Sequence, residues 1–250
     1  MMTTHVNSPW AQSRMVAFDT ETTGVDAEND RVVTAAVVAV GGGQASDSRT
    51  WIADPGVEIP EQATAVHGVT TDQARVEGSD AAEVVEDITA VLAEQLGAGF
   101  PVVVFNAPYD LTLLDREARR HGVLPLVERL AGLDVAPVID PLVLDRQIDR
   151  YRRGSRKLSA LAAHYRVRHE SAHTAEADAL AAARIAWRIG TGHARIGGAD
   201  LLKLHDAQVS WAAQQAAGLE EYLRRTDPEA YVEPAWPYLP HSLVGARREG

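Results

Sequence analysis

Asp19 and Glu21 stand two residues apart in Phe18-Asp19-Thr20-Glu21-Thr22-Thr23-Gly24, directly after the apolar run Met15-Val16-Ala17-Phe18. The run reads as a buried strand that ends at the acids. On extended backbone, residues at i and i+2 point to the same side. Two carboxylates on one face repel unless a cation sits between them. A hard divalent cation answers that need, because it takes carboxylate oxygens. The spacing therefore predicts a metal site at the mouth of a sheet.

Further ligands are sought along the chain. Asp110 lies five residues past the apolar run that closes at Phe105, at the expected start of a helix. Taken alone, it reads as a helix-terminus residue. Asp178 lies in His173-Thr174-Ala175-Glu176-Ala177-Asp178, with Thr174 placed to cap the next helix. Asp178 heads a largely apolar stripe through Ala182, Ile185 and Ile189, and an acid there needs a partner. A metal shared with Asp19 and Glu21 supplies one. His173, just before that helix, has the chemistry to take a proton from water near neutral pH. His121, His164, His169, His193, His205 and His241 lack such a setting and read as surface or core-edge residues.

The elements that must position these groups follow from pattern. Strands are predicted over 14–19, 31–40 and 48–53, joined by short links as an antiparallel meander. Phe100-Pro101-Val102-Val103-Val104-Phe105 and Pro137-Val138-Ile139-Asp140 read as later strands. Helices are predicted over 80–96, 110–121, 158–165, 174–189 and 199–225, with Pro141 opening another. Strands first, then alternating helix and strand, indicate an α/β fold with a mixed sheet. Residues 1–13 read as a loose lead-in. The glycines at 190, 192, 197 and 198 read as a boundary between a body over 12–190 and a C-terminal helix with a proline-rich aromatic tail over 199–250.

The 250 residues carry a net charge of −11 and no cysteine. Disulfides and thiolate metal sites are excluded. No apolar run approaches the roughly 20 residues of a membrane span, and a cytoplasmic protein is expected. The acidic balance argues against binding nucleic acid on a broad basic surface, though not against gripping a short end. Residues 145–157 are locally basic: Arg146, Arg150, Arg152, Arg153, Arg156 and Lys157 against Asp145 and Asp149, a local +4. Tracking a phosphate backbone is one reading of that segment, and a solvated loop is the other.

The order of these motifs resembles the DnaQ-like (DEDDh) 3′–5′ exonuclease family, which includes the proofreading epsilon subunit of bacterial DNA polymerase III. Phe18–Gly24 is similar to its first motif. Asn106-Ala107-Pro108-Tyr109-Asp110-Leu111-Thr112-Leu113-Leu114 is similar to the second, and His173–Asp178 to the third in its histidine form. Val66-His67-Gly68-Val69-Thr70 resembles a segment bordering the substrate end. Phe105 and Tyr109 stand where the family usually has His and Phe.

The resemblance implies an RNase H-like mixed sheet, three antiparallel strands followed by parallel ones, flanked by helices. It implies two divalent cations, Mg²⁺ or Mn²⁺, about 3.5–4 Å apart. Asp19 would bridge both, Glu21 and Asp178 would hold one, and Asp110 the other, with His173 as general base. Thr22, Thr23 and Gly24 would offer backbone N–H groups to the terminal nucleotide, and Asn106 would join them in contacting substrate. His67 reads either as a contact to the terminal sugar or base, or as loop packing. The implied activity is release of nucleoside 5′-monophosphates from single-stranded or frayed DNA ends, with a DNA polymerase III complex as a partner. The alternatives are an exonuclease acting on RNA or oligoribonucleotides, and a polymerase-associated interaction module.

Overall fold

In the computed structural model, residues 9–170 and 172–241 are described. The β-branched runs form the antiparallel meander β1 (Arg14–Thr22), β2 (Val32–Gly41) and β3 (Asp47–Asp54). After the short helices α1 (Glu61–His67) and α2 (Thr71–Glu77), a small strand β4 (Ser79–Asp80) pairs parallel to β3. Helix α3 (Ala81–Gly97), strand β5 (Val102–Val103), helices α4 (Ala107–His121) and α5 (Leu126–Arg129), and strand β6 (Val138–Ile139) come next. Helices α6 (Pro141–Ile148), α7 (Leu158–His164), α8 (Ala175–Gly192), α9 (Ala194–Gly197) and α10 (Leu201–Leu223) complete the described elements. The sheet order is β4-β3-β2-β1-β5-β6, with β5 parallel to β1 and β6 parallel to β5. This is the expected RNase H-like mixed sheet.

Alternation along β1 divides the core. Val16 and Phe18 pack with α3 and α4 on one face, through Val84, Ile88, Leu92 and Leu114. Met15 and Ala17 pack with α8 on the other, through Ala179, Ala182, Ile185 and Ala186. The alanines of α8 carry little bulk, so the helix axis lies close to β1 and β2. Asp80 caps α3 by accepting from the Ala82 and Glu83 N–H groups.

Several expectations are corrected. β1 runs to Thr22, because β2 stays paired to it through a register shift between Glu21 and Thr22. The acids therefore lie within the strand, not beyond it. Only two residues of Phe100–Phe105 join the ladder, since Pro101 lacks an N–H and the chain turns into helix after Phe105. The lead-in is not loose where it is described: Trp10 and Ala11 are buried, and the Trp10 indole donates to the Ile196 carbonyl at 2.8 Å. Residues 1–8 of the lead-in and 242–250 of the tail lie outside the described residues. Gly190 and Gly197 serve close packing. A Cβ on Gly197 would stand 1.9 Å from the Gly190 carbonyl oxygen, and one on Gly190 would meet Ala11 and Trp10 at 2.7 and 2.8 Å.

Helix α10 covers β6, the outer strand of the sheet. Val138 donates its N–H to Nδ1 of His205 at 3.1 Å, and Asp140 donates its N–H to Oε1 of Gln208 at 2.8 Å. The Gln208 amide donates back to the Val138 carbonyl at 3.0 Å. Side chains one helical turn apart thus complete the backbone bonding that a seventh strand would have supplied. The tail returns over the body: Trp236 packs its ring on His205, and Leu239 donates its N–H to the Thr112 hydroxyl at 2.9 Å. His205 is therefore a buried acceptor, not a core-edge residue.

Candidate active site

Asp19 and Glu21 project from the α8 face of β1, and Thr20 between them faces α4. Thr20 donates both its N–H and its hydroxyl to Oδ1 of Asp110, at 3.0 and 2.6 Å. That pair ties the buried Asp110 to the strand holding the other acids.

Asp110 does not cap its helix. Helix α4 starts at Ala107, three residues before the expected start, because its first donors are met from afar. Buried Asp140 accepts from the N–H groups of Asn106 and Ala107 at 3.1 and 3.0 Å, and from Leu142 at 2.9 Å. Asn106 sits in the left-handed region at φ 62°, and Pro108 follows in the first turn. Asp110 thereby lies one turn inside a helix aimed at the end of β1.

Tyr109, which departs from the family's phenylalanine, uses its extra oxygen. Its hydroxyl lies 2.7 Å from both the Thr22 hydroxyl and the Gly24 carbonyl, joining the turn after β1 to α4. Burial pushes the Tyr109 phenol up to about 12.

Asp178 enters from the N-terminal end of α8, where Thr174 caps by accepting from the Ala177 N–H. Oδ1 of Asp178 accepts the His173 backbone N–H at 3.2 Å and a ring N–H of His169, from Nε2, at 2.6 Å. Ligand atoms of Glu21, His173 and Asp178 all lie within 4.8 Å of one another. Asp19 and Asp110 share the cleft but stand outside that tight group.

Asp19, Glu21, Asn106, Asp110, His173 and Asp178 line one cleft of about 550 Å³, and Arg146, Arg156 and Lys157 line it too. Burial, then Asp110, Asp178 and Glu21, raise the Asp19 carboxyl well above the usual carboxylate range. Burial and the neighbouring Asp178 and Asp110 raise Glu21 to about 7. Burial raises Asp110 to about 7 against the lowering effect of its Thr20 bonds. Among the described residues no lysine or arginine ion-pairs with any of these four acids. A partly buried, self-repelling group of carboxylates with no lysine or arginine ion-paired to it fits a hard divalent cation.

The remaining expectations divide. His67 is half-buried at a neighbouring cleft of about 510 Å³ that it shares with His173, and burial lowers its imidazole. Thr22 and Thr23 are buried in the turn, and neither they nor Gly24 line either cleft. The Thr23 N–H is bonded to the Arg31 carbonyl at 3.0 Å, so it is not an open donor for a nucleotide. A Cβ on Gly24 would strike the Asp30 carboxylate at 2.5 Å, so this glycine serves the packing of its own turn.

The basic segment is split by the fully buried Asp145 on α6. That carboxylate holds Arg152 at 2.8 Å, Arg156, and the Tyr165 hydroxyl at 2.8 Å. Arg152 and Arg156 anchor the loop, whereas exposed Lys157 and Arg146 face the cleft. His169 is the residue that sequence reasoning missed. Its place nine residues before Asp178, in an irregular segment, gives no periodic signal.

The exonuclease family model RNase_T matches residues 16–186. A DNA polymerase III PolC-type protein of Lacticaseibacillus paracasei is 33% identical over 208 residues, covering 83% of this chain and 13% of that protein. A DNA polymerase III subunit epsilon-like protein of Rhodobacter capsulatus is 31% identical over 188 residues, covering 73% and 24%. The chain thus spans a minor part of the curated relatives it matches. A zinc-bound E. coli exonuclease I complex with single-stranded DNA superposes with a TM-score of 0.63 at 20% identity, over 74% of this chain and 42% of that one. That likeness speaks for the fold, and the family match covers both ends of the acidic cleft. The chain belongs to the DnaQ-like 3′–5′ exonuclease family.

Proposed function

We propose that this chain removes nucleoside 5′-monophosphates from the 3′ ends of single-stranded or frayed DNA. One observation carries the reading: carboxylates from β1, α4 and α8 meet in a single cleft beside His173, and among the described residues no lysine or arginine is ion-paired to them. Asp19, Glu21, Asp110 and Asp178 would hold two divalent cations, Mg²⁺ or Mn²⁺. Bound there, such ions neutralise the scissile phosphate and make a water acidic enough to attack. His173 receives the proton of that water on its imidazole. Lys157 and Arg146, in the lining of the same cleft, engage backbone phosphates. Asn106 at the cleft rim, and His67 beside His173, contact the terminal nucleotide. DNA is favoured over RNA because the relatives are DNA polymerase III proteins and the superposed exonuclease I holds single-stranded DNA. Association with a DNA polymerase III is part of the same reading.

Matched DNA and RNA oligonucleotides labelled at the 5′ end, with Mg²⁺ or Mn²⁺, test it. The expected result is a ladder shortening from the 3′ end, faster on DNA, and lost in Asp19→Ala. Full activity in Asp19→Ala, or cleavage of a circular substrate, would refute the proposed site.

A further inference from the structure

We infer that His169 is a positioning residue for Asp178: its ring N–H fixes the carboxylate so that Oδ1 is occupied and Oδ2 is presented to the cation. The inference rests on the metal-dependent reading above and extends it to a residue with no place in the motifs.

Asp178 is the one acid of the cluster held by a histidine, at 2.6 Å, with both side chains largely shielded (8% and 14% exposed). A carboxylate only accepts, so Nε2 of His169 carries the hydrogen. The second donor to the same oxygen is the His173 N–H, presented because His173 adopts the left-handed region at φ 71°. Oδ1 thus carries two donors, and among the described residues Oδ2 carries none. Asp110 in the same cleft is treated the same way, where Thr20 places two donors on Oδ1. Two acids from different helices are each clamped through one oxygen.

The segment holding His169 is itself pinned. Arg184 of α8 donates to the Arg168 carbonyl at 2.9 Å, and Val167 donates to the Ala162 carbonyl at 2.9 Å. The imidazole therefore has a fixed origin from which to hold Asp178. An unclamped aspartate keeps its rotamers and must lose them when a cation binds. Outer partners that remove this freedom are typically worth about 10–100-fold in metal affinity or activity.

The test uses the full chain and Mn²⁺ as the probe. Binding to substrate-free protein is followed by calorimetry, together with the Mg²⁺ concentration at half-maximal turnover and melting in EDTA. His169→Ala is expected to weaken Mn²⁺ binding about 10–100-fold and to raise the Mg²⁺ requirement in parallel, while KM for the oligonucleotide at saturating Mg²⁺ stays unchanged. His169→Gln, which keeps an N–H donor, is expected to recover most of the binding. If His169→Ala does not fold, His169→Leu takes its place, keeping bulk without the donor. Wild-type Mn²⁺ affinity in the donorless variant would overturn the inference, and so would a folded Gln variant as weak as Ala. Should the wild-type chain itself bind no Mn²⁺ and cleave nothing, the functional reading fails first, which separates the two failures.

Discussion

Asp19, Glu21 and Asp110 are arranged against the stability of the metal-free chain. Their folded-state values lie above the ordinary ones, with Glu21 and Asp110 near 7. Below about pH 4, where even unfolded carboxylates are protonated, this costs nothing. Between there and about 7 the unfolded chain has released its protons while the folded chain retains them. Raising the pH through 7 strips the folded cluster and leaves like charges facing one another. Stability in EDTA is therefore expected to fall as pH rises from about 4 to 8, and Mg²⁺ should restore it above 7. Melting curves of wild type and Asp19→Asn across that range check the sign. Asp19→Asn should flatten the decline and weaken the rescue. Asp19, Glu21 and Asp178 were legible beforehand, because strand alternation and the Thr174 cap place their carboxylates by simple geometry, whereas Asp110 taken alone read as a helix-terminus residue and joined the set through the family resemblance. His169 was not legible, because an irregular segment carries no period from which a direction can be read.

At the level of elements, β6 and α4 depend on residues far from them in sequence. Helix α4 begins early because Asp140 supplies the cap that its own sequence lacks, and a remote carboxylate leaves no local signature. The long C-terminal helix was evident from its apolar spacing. Its pairing with a strand edge was not, since His205 and Gln208 look like ordinary surface residues until β6 is brought beside them. Gln208→Leu removes the partners of the Val138 carbonyl and the Asp140 N–H, both buried. Each stranded backbone group costs about 1–3 kcal/mol, so an overall loss of about 2–6 kcal/mol is expected in urea unfolding. Gln208→Glu, which sets a carboxylate oxygen against the Val138 carbonyl at a fully buried position, should cost at least as much at neutral pH. A change within the scatter of surface substitutions would remove α10 from the support of the site.

Over the whole molecule, charge and topology act together. The chain carries −11, and its basic segment loses Arg152 and Arg156 to Asp145, which leaves Arg146 and Lys157 at the cleft. Affinity for single-stranded DNA should then fall only gently with salt, with a slope of log K against log salt of about −1.4 to −2.8 for about 2–4 neutralised phosphates. Fluorescence anisotropy with a labelled oligonucleotide and Asp19→Asn protein measures it, and a slope near −7 would indicate a basic surface elsewhere. Covering β6 with a histidine and a glutamine has a wider result. A sheet flank sealed by side chains gives an incoming polypeptide no ladder to extend, so neither strand exchange between copies nor fibril templating can begin there. Any protein partner must grasp the chain by other surfaces, and concentrated stocks should resist self-association through that flank.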